Sequence, residues 1–265
     1  MTDESSLEPS PLVDATGALL AEEFHLVYQP EIDLHTGGFA GVEALIRWYH
    51  PIRGVLSPAE FIPALEENGQ ILDVGRWALE TACFQGAEWF AKGYRFPVAV
   101  NISRQQLSDS SFVDDVARAL RASRLDPAYL TLEFSFASLD GENALSHLRE
   151  IHDSGVRLAI DDFAPGHPDN ATLATLPIDI VKLDREFVAE HSTLSGDSDI
   201  HALVHDARGL DLRVIASGVE DASQRDQLRD EEVDIGQGFH FARPYEVQEI
   251  DRFLEDFALF SGRPL

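Results

Sequence analysis

The sequence predicts an α/β protein whose strands and helices form a closed (β/α)8 barrel of the TIM type, with an antiparallel first strand. The first observation is that eight short runs rich in β-forming residues alternate with stretches of helical periodicity. The second is that polar side chains stand at the carboxyl ends of most of these runs, where such barrels carry their sites. The third is the length of 265 residues, which fits one large α/β domain.

The connection between the first two strands is the exception to the α/β alternation. Only the segment DLHTGGF separates them, and this is too short for a helical crossover, so an antiparallel hairpin is expected. The eight predicted strands cover residues 24–32, 40–48, 97–103, 130–135, 156–161, 179–184, 212–217 and 233–238.

Helix boundary signals lie between these strands. Ser57 is placed as an N-cap, with Pro58 at the first helical position and Glu60 completing a capping box. Residues 143–154 carry apolar side chains at helical spacing, and Gly155 follows where a helix ends. Both segments are therefore predicted to be helices that connect neighbouring strands.

The chain divides into a short lead-in and one domain. We expect residues 1–20 to form a flexible polar lead-in and residues 21–262 to form the barrel domain. The N-terminus lacks the basic and apolar regions of a signal peptide, and no apolar run is long enough for a membrane span. Cys83 is the single cysteine, which predicts a reduced, cytoplasmic protein without disulfides.

The charge balance limits the classes of partner. There are 47 acidic and 20 basic residues, giving a formal net charge of −27. Such a surface repels duplex nucleic acid and anionic membranes. A small anionic ligand held by a few cations in a pocket remains compatible with it.

The polar strand ends predict a metal site. If the strands form a barrel, their carboxyl ends meet at one mouth, and the oxygen-bearing side chains there suit a hard cation such as Mg²⁺ or Mn²⁺. Two such ions, bridged by Asp161, would serve phosphodiester hydrolysis. The alternative for Asp161 and Asp162 is a solvated turn with a helix-capping aspartate. The residues at the predicted mouth are Glu43, Asn101, Glu133, Asp161, Asp162, Lys182, Ser217, Glu220 and Gln237.

Several ordered motifs carry a resemblance to a known family. The chain resembles the EAL domain family, the cyclic di-GMP phosphodiesterases of bacterial second-messenger signalling. The similarity extends from about Phe24 to Phe257, roughly nine-tenths of the chain. The motifs are GVEALIRWYHP, VAVNIS, LTLEFS, LAIDDF, VKLDREF, GVED and GQGFHFARP.

The resemblance implies roles for individual residues and a set of ligands. Mg²⁺ or Mn²⁺ is the implied cofactor, with Ca²⁺ expected to inhibit, and cyclic di-GMP is the implied ligand. A homodimer is a further implied association, and an unknown protein partner is left open apart from the resemblance. The implied metal ligands are Glu43, Asn101, Glu133, Asp161 and Asp162; the implied catalytic residues are Lys182 and Glu220; the implied ligand-binding residues are Gln29, Leu45, Arg47, Asp184, Gln237 and Pro244.

Departures from the family pattern concern hydrolysis. Ser217 stands where the family has a glutamate that helps to activate the attacking water. Phe136 replaces an acid that steadies a flexible loop, and the loop itself is rewritten, with Ala164 and Pro165 in place of its usual residues. Phe136 either fills space left by the altered loop or offers an apolar contact to a partner.

Three functions therefore remain open at this point. The first is a receptor that binds cyclic di-GMP with weak or no hydrolysis, because a neutral serine cannot act as a base without an activator. The second is an active phosphodiesterase that produces linear pGpG, with Glu220 or a metal-bound hydroxide compensating for Ser217. The third is a protein-interaction scaffold without a ligand.

Overall fold

The structure of the protein, a computed structural model, describes residues 15–140, 143–164, 170–191 and 199–261. The strands are β1 (Phe24–Asp33), β2 (Phe39–His50), β3 (Gly54–Leu56), β4 (Val98–Asn101), β5 (Leu130–Ser135), β6 (Arg157–Phe163), β7 (Ile180–Leu183), β8 (Arg213–Ala216) and β9 (Ile235–Gln237). The α-helices are α1 (Ala15–Leu20), α2 (Pro58–Glu67), α3 (Ile71–Ala91), α4 (Arg104–Ser108), α5 (Phe112–Ser123), α6 (Ala144–Asp153), α7 (Asn170–Leu173), α8 (Arg185–His191), α9 (Asp199–Gly209), α10 (Ala222–Asp230) and α11 (Val247–Ser261). Two 3₁₀ helices cover Pro127–Tyr129 and Phe136–Asp140.

Eight of these strands close into a barrel. The strand order is β1-β9-β8-β7-β6-β5-β4-β2, and β1 pairs with β2 to complete the circle. β1 is antiparallel to both of its neighbours, whereas the strands from β2 through β4 to β9 pair in parallel. The predicted barrel and its antiparallel first strand are confirmed.

Two elements differ from the expectation. β3, a three-residue strand, pairs antiparallel with the outer end of β2 and was not predicted. Residues 15–20, expected in the flexible lead-in, form α1, in which Ala15 and Ala18 are buried. The backbone N–H of Ala15 donates to Gln70 Oε1 at 3.1 Å, so the folded part begins before residue 21.

The predicted helix boundaries are confirmed. Glu60 Oε2 accepts a hydrogen bond from the Ser57 backbone N–H at 2.8 Å, and Pro58 is the first residue of α2. Gly155 follows α6 with a φ of +96°, in the left-handed region that favours glycine.

The core has one layer outside the barrel and one inside. Alternating side chains of the strands point outward against the helices, where most of the buried apolar residues lie. A smaller apolar group fills the barrel interior and consists of Ala159, Ile180, Ile215 and Ile235. This apolar group closes the interior of the barrel. The polar side chains nearer the carboxyl ends of the strands therefore line a cavity that is open only at the mouth.

None of the helices among the described residues is long and apolar enough to cross a membrane.

Candidate functional site

Strand register gathers the polar residues at the mouth. Gln29 on the antiparallel β1 lies opposite Glu43 on β2, and Asn101 lies opposite Glu133 across β4 and β5. Ser135 on β5 is in turn opposite Asp161 on β6. These side chains face one opening because they occupy the inward positions of neighbouring strands.

A buried lysine lies at the centre of the site. Lys182 Nζ donates to Glu43 Oε2 and to Glu133 Oε2, at 2.8 Å in both cases. Lys182 is 2 % exposed, and both glutamates are also buried. Such charge-assisted bonds are strong, and they offset the desolvation cost of placing three ionisable groups in the barrel.

Two amides complete the hydrogen bonding of Glu43. Asn101 Nδ2 donates to Glu43 Oε1 at 2.6 Å, and Gln237 Nε2 donates to Glu43 Oε2 at 2.7 Å. Gln29 lies beside Gln237, and its own Nε2 donates to the Ala242 carbonyl at 3.1 Å. Both carboxylate oxygens of Glu43 are therefore engaged by protein donors.

The acids outnumber the buried cation. Burial raises the pKa of Glu133 well above its usual value, Lys182 opposes this shift, and neighbouring carboxylates add to it. The pKa of Asp161 is raised as well, mainly by burial. Glu133 Oε1 is buried without a hydrogen-bond partner. An acceptor of this kind, in an excess of negative charge, fits a divalent cation.

The donor set fits Mg²⁺ or Mn²⁺ by its chemistry, since carboxylate and amide oxygens are the ligands these ions prefer. Among the residues that the structure describes, however, no three His, Cys, Asp or Glu side chains already stand together as a metal cluster. Lys182 and the two amides hold the carboxylates instead.

The two adjacent aspartates both reach the mouth. The pairing of β6 with β7 shifts register between Ile160 and Phe163, and Asp162 has a φ of +56°. In a regular strand consecutive side chains point to opposite faces, whereas a bulge can redirect one of them. Asp161 and Asp162 accordingly line the same cavities, so the turn does more than end a strand.

Two cavities meet at these aspartates. One of about 290 Å³ adjoins β4 and β5 and includes Asn101 and Glu133. The other, of about 220 Å³, contains most of the remaining residues predicted for the site: Gln29, Glu43, Leu45, Lys182, Asp184, Ser217, Glu220 and Gln237. Together the cavities form a polar cleft across the barrel mouth.

Arg47 and Pro244 are the two predicted residues outside these cavities. Arg47 is half-buried, and its Nη1 donates to the Ile46 carbonyl at 2.8 Å. Pro244 is half-buried next to Tyr245, which bridges to Tyr28 on β1. Arg47 therefore lies two residues along β2 from Leu45, which lines the cleft, and Pro244 lies one residue from the bridge to the neighbour of Gln29.

Phe239 and Arg185 are two residues of the cleft wall that the sequence analysis did not assign to the site. Phe239 is 49 % exposed, and the Arg243 guanidinium lies 4.3 Å from its ring centroid. Arg185 donates from Nη2 to Glu220 Oε1 at 2.6 Å. Both residues lie inside the quoted motifs VKLDREF and GQGFHFARP, and this position next to Asp184 and Gln237 was the available signal.

The departures from the family pattern have defined positions. Ser217 lines the smaller cavity with Lys182 and Glu220. Phe136 is half-buried and packs against the main core, which supports its space-filling interpretation. Ala164 is half-buried against the same core, and Pro165 lies outside the described residues.

Comparison with known proteins agrees with the resemblance found in the sequence motifs. The family model described as the EAL domain matches residues 13–244. The bifunctional diguanylate cyclase/cyclic di-GMP phosphodiesterase MucR of Pseudomonas aeruginosa is 36% identical over 246 residues, covering 90% of this chain and 36% of MucR. The cyclic di-GMP phosphodiesterase NbdA of the same organism is 34% identical over 252 residues, covering 94% of this chain and 32% of NbdA. The chain thus spans about a third of the length of these two relatives.

Solved structures agree with the sequence relatives. The PaMucR phosphodiesterase in complex with c-di-GMP superimposes with a TM-score of 0.83 at 36% identity, over 89% of this chain and 98% of that one. The EAL domain of Mycobacterium smegmatis DcpA gives a TM-score of 0.74 at 31% identity, over 88% and 98% of the two chains.

Proposed function

Because this chain belongs to the EAL domain family, we propose that it binds cyclic di-GMP at the barrel mouth and hydrolyses it weakly or not at all. The observation that carries this proposal is the contrast within one cavity. Polar residues suited to a dinucleotide line it, while the neutral Ser217 stands where the family resemblance implies a water-activating glutamate.

Binding is assigned to the cleft wall. Gln29 and Gln237 present amides, Leu45 an apolar surface and Asp184 a carboxylate that can accept from a guanine edge. Asp184 Oδ1 also accepts from the Phe187 backbone N–H at 2.9 Å and so caps α8, which fixes its position. These contacts require no proton transfer, so they do not depend on the catalytic glutamate that Ser217 replaces.

The phosphates need cations in a strongly acidic protein. Arg47 uses one of its five N–H donors on the Ile46 carbonyl, and the planar fork that remains matches a phosphate bidentately. When bound, Mg²⁺ or Mn²⁺ would be held by Glu43, Asn101, Glu133, Asp161 and Asp162, and would neutralise phosphate charge as a Lewis acid.

Hydrolysis additionally requires a base for the attacking water. The Ser217 hydroxyl is uncharged at neutral pH and accepts no proton. Glu220, an acid on the same wall, accepts a hydrogen bond from Arg185 Nη2 at 2.6 Å, so this ion pair must open before the carboxylate can turn to a water. The active phosphodiesterase that yields linear pGpG is the second candidate, and it depends on Glu220 leaving this ion pair.

Replacing Arg47 by Ala is the mutational test of the binding mode. We expect R47A to weaken cyclic di-GMP binding by about 10- to 100-fold, since a charge-assisted hydrogen bond contributes roughly 1.5–3 kcal/mol. Isothermal titration calorimetry measures the change. The matched control is R53A, because Arg53 is exposed on the β2–β3 turn and pairs with Glu60 at 3.6 Å. Equal affinity of R47A and R53A would remove Arg47 from the proposed site.

A further inference from the structure

The pairing of Lys182 has a consequence for metal binding. Its ammonium donates to Glu43 and Glu133, the two glutamates assigned above to the metal. We propose that Lys182 is an internal counter-ion which takes the place of the divalent cation in the metal-free protein, so that the ammonium and the metal compete for these carboxylates. The inference rests on the proposed function only in assigning these residues to a metal.

The hydrogen bonds show what metal entry must displace. Both oxygens of Glu43 accept from protein donors, and Asn101 directs its NH₂ group, not its amide oxygen, at Glu43. A metal ion is bound by the lone pairs of oxygen atoms, so an NH₂ group that points at the site cannot bind it. Coordination through the oxygens that these donors now occupy therefore requires the Lys182 ammonium to move away from the carboxylates and the Asn101 amide to rotate.

The charge distribution explains why such a counter-ion is needed. Glu31, Glu43, Glu133 and Asp161 all act electrostatically on Lys182 inside the barrel. Uncompensated carboxylates in a buried site repel one another, and each carries a large desolvation cost. One ammonium between two of them lets the barrel fold without metal, and the unpaired Glu133 Oε1 marks the charge that it leaves unneutralised.

The chain offers an unusually clean way to observe this lysine. Lys92 is the only other lysine in the sequence. It lies at the end of α3, partly exposed, and donates to Asp251 Oδ2 at 2.6 Å. Two lysine side-chain signals are therefore expected, one from the site and one from the surface.

The first test uses the wild-type protein with labelled lysine and no dinucleotide. On titration with Mg²⁺, we expect the NMR signal of the Lys182 ε-ammonium to shift and its hydrogen exchange to accelerate, while the Lys92 signal stays in place. An unchanged Lys182 signal, at Mg²⁺ concentrations that shift backbone signals of β5 and β6, would overturn the inference. So would the absence of any Mg²⁺-dependent shift.

The second test removes the ammonium. In Lys182→Met we expect a lower melting temperature without metal and a Mn²⁺ affinity at least about tenfold tighter than wild type, within the usual range of coupling between sites. Electron paramagnetic resonance of free Mn²⁺ measures the affinity, and Lys92→Met is the matched control. Unchanged or weaker Mn²⁺ binding by K182M contradicts the competition.

The outcomes separate this inference from the proposed function. If K182M folds only in the presence of Mn²⁺, the result supports the inference. If K182M folds neither with nor without Mn²⁺, the NMR titration of the wild-type protein decides. Calorimetry with cyclic di-GMP tests the proposed function independently, since a dinucleotide can bind while Lys182 remains paired.

Discussion

Replacing Ser217 by Glu is expected to raise the rate of cyclic di-GMP hydrolysis by about 10²- to 10⁴-fold, the contribution of a positioned acid–base group. This corresponds to a barrier lower by roughly 3–5.5 kcal/mol. The new carboxylate would enter the 220 Å³ cavity beside Lys182 and Glu220. Chromatographic separation of the linear product from the cyclic ligand measures the rate.

The control for this gain of function is Ser217→Gln, which adds similar bulk without a basic oxygen. If S217E hydrolyses no faster than S217Q, the missing acid is not the limiting defect. The loop that begins at Asp161, where Ala164 and Pro165 replace the family's usual residues, would then be an independent cause of low activity.

Glu31 carries the second large expected effect, which concerns stability. This residue lies inside the barrel, opposite Gly41 on β2 and Gln237 on β9. It is 3 % exposed, and its Oε1 has no hydrogen-bond partner. Burial raises the pKa of Glu31 from 4.5 to about 7, with Lys182 opposing the shift and Glu43 adding to it.

The sign of the pH dependence follows from this shift. Between pH 4.5 and 7 the unfolded chain has released the Glu31 proton while the folded protein still holds it, so the free energy of unfolding falls as pH rises. From pH 5 to pH 8 the loss is about 2–3 kcal/mol, at 1.36 kcal/mol per pKa unit. Glutamine resembles the protonated acid and does not titrate.

Glu31→Gln is therefore expected to stabilise the protein by about 2–3 kcal/mol more at pH 8 than at pH 5. Urea unfolding at the two pH values measures the difference. Glu67→Gln is the matched control, because Glu67 is exposed near the end of α2. A stability difference between E31Q and wild type that is the same at both pH values would contradict the buried, protonated state of Glu31.

Much of the barrel was predictable because its signals are local. All eight strands could be located from runs of β-forming residues, and the antiparallel β1 followed from the short connection to β2. β3 could not be found this way, since its three residues pair only once β2 provides an edge. α1 was missed because its stability comes from packing rather than from its own sequence.

The candidate site was predictable in composition but not in connectivity. Polar residues in the predicted strands identified Glu43, Glu133 and Lys182, because barrel geometry brings inward positions of neighbouring strands to one mouth. The sequence could not show that Lys182 lies between the two glutamates, nor that Arg47 lies outside the cavities, since side-chain partners depend on three-dimensional packing. The contribution of Arg185 to the cleft wall could not be predicted either, because it also depends on three-dimensional packing.

The most direct test of a cyclic di-GMP receptor with lost or weak hydrolysis is calorimetric titration of the purified protein with cyclic di-GMP. It is run first in Mg²⁺ and then in Ca²⁺, followed by chromatography of the same samples. We predict saturable binding, at micromolar or lower dissociation constant, with the cyclic ligand still intact in both ions. Absence of binding under either ion, or rapid appearance of linear pGpG in Mg²⁺, would contradict the account.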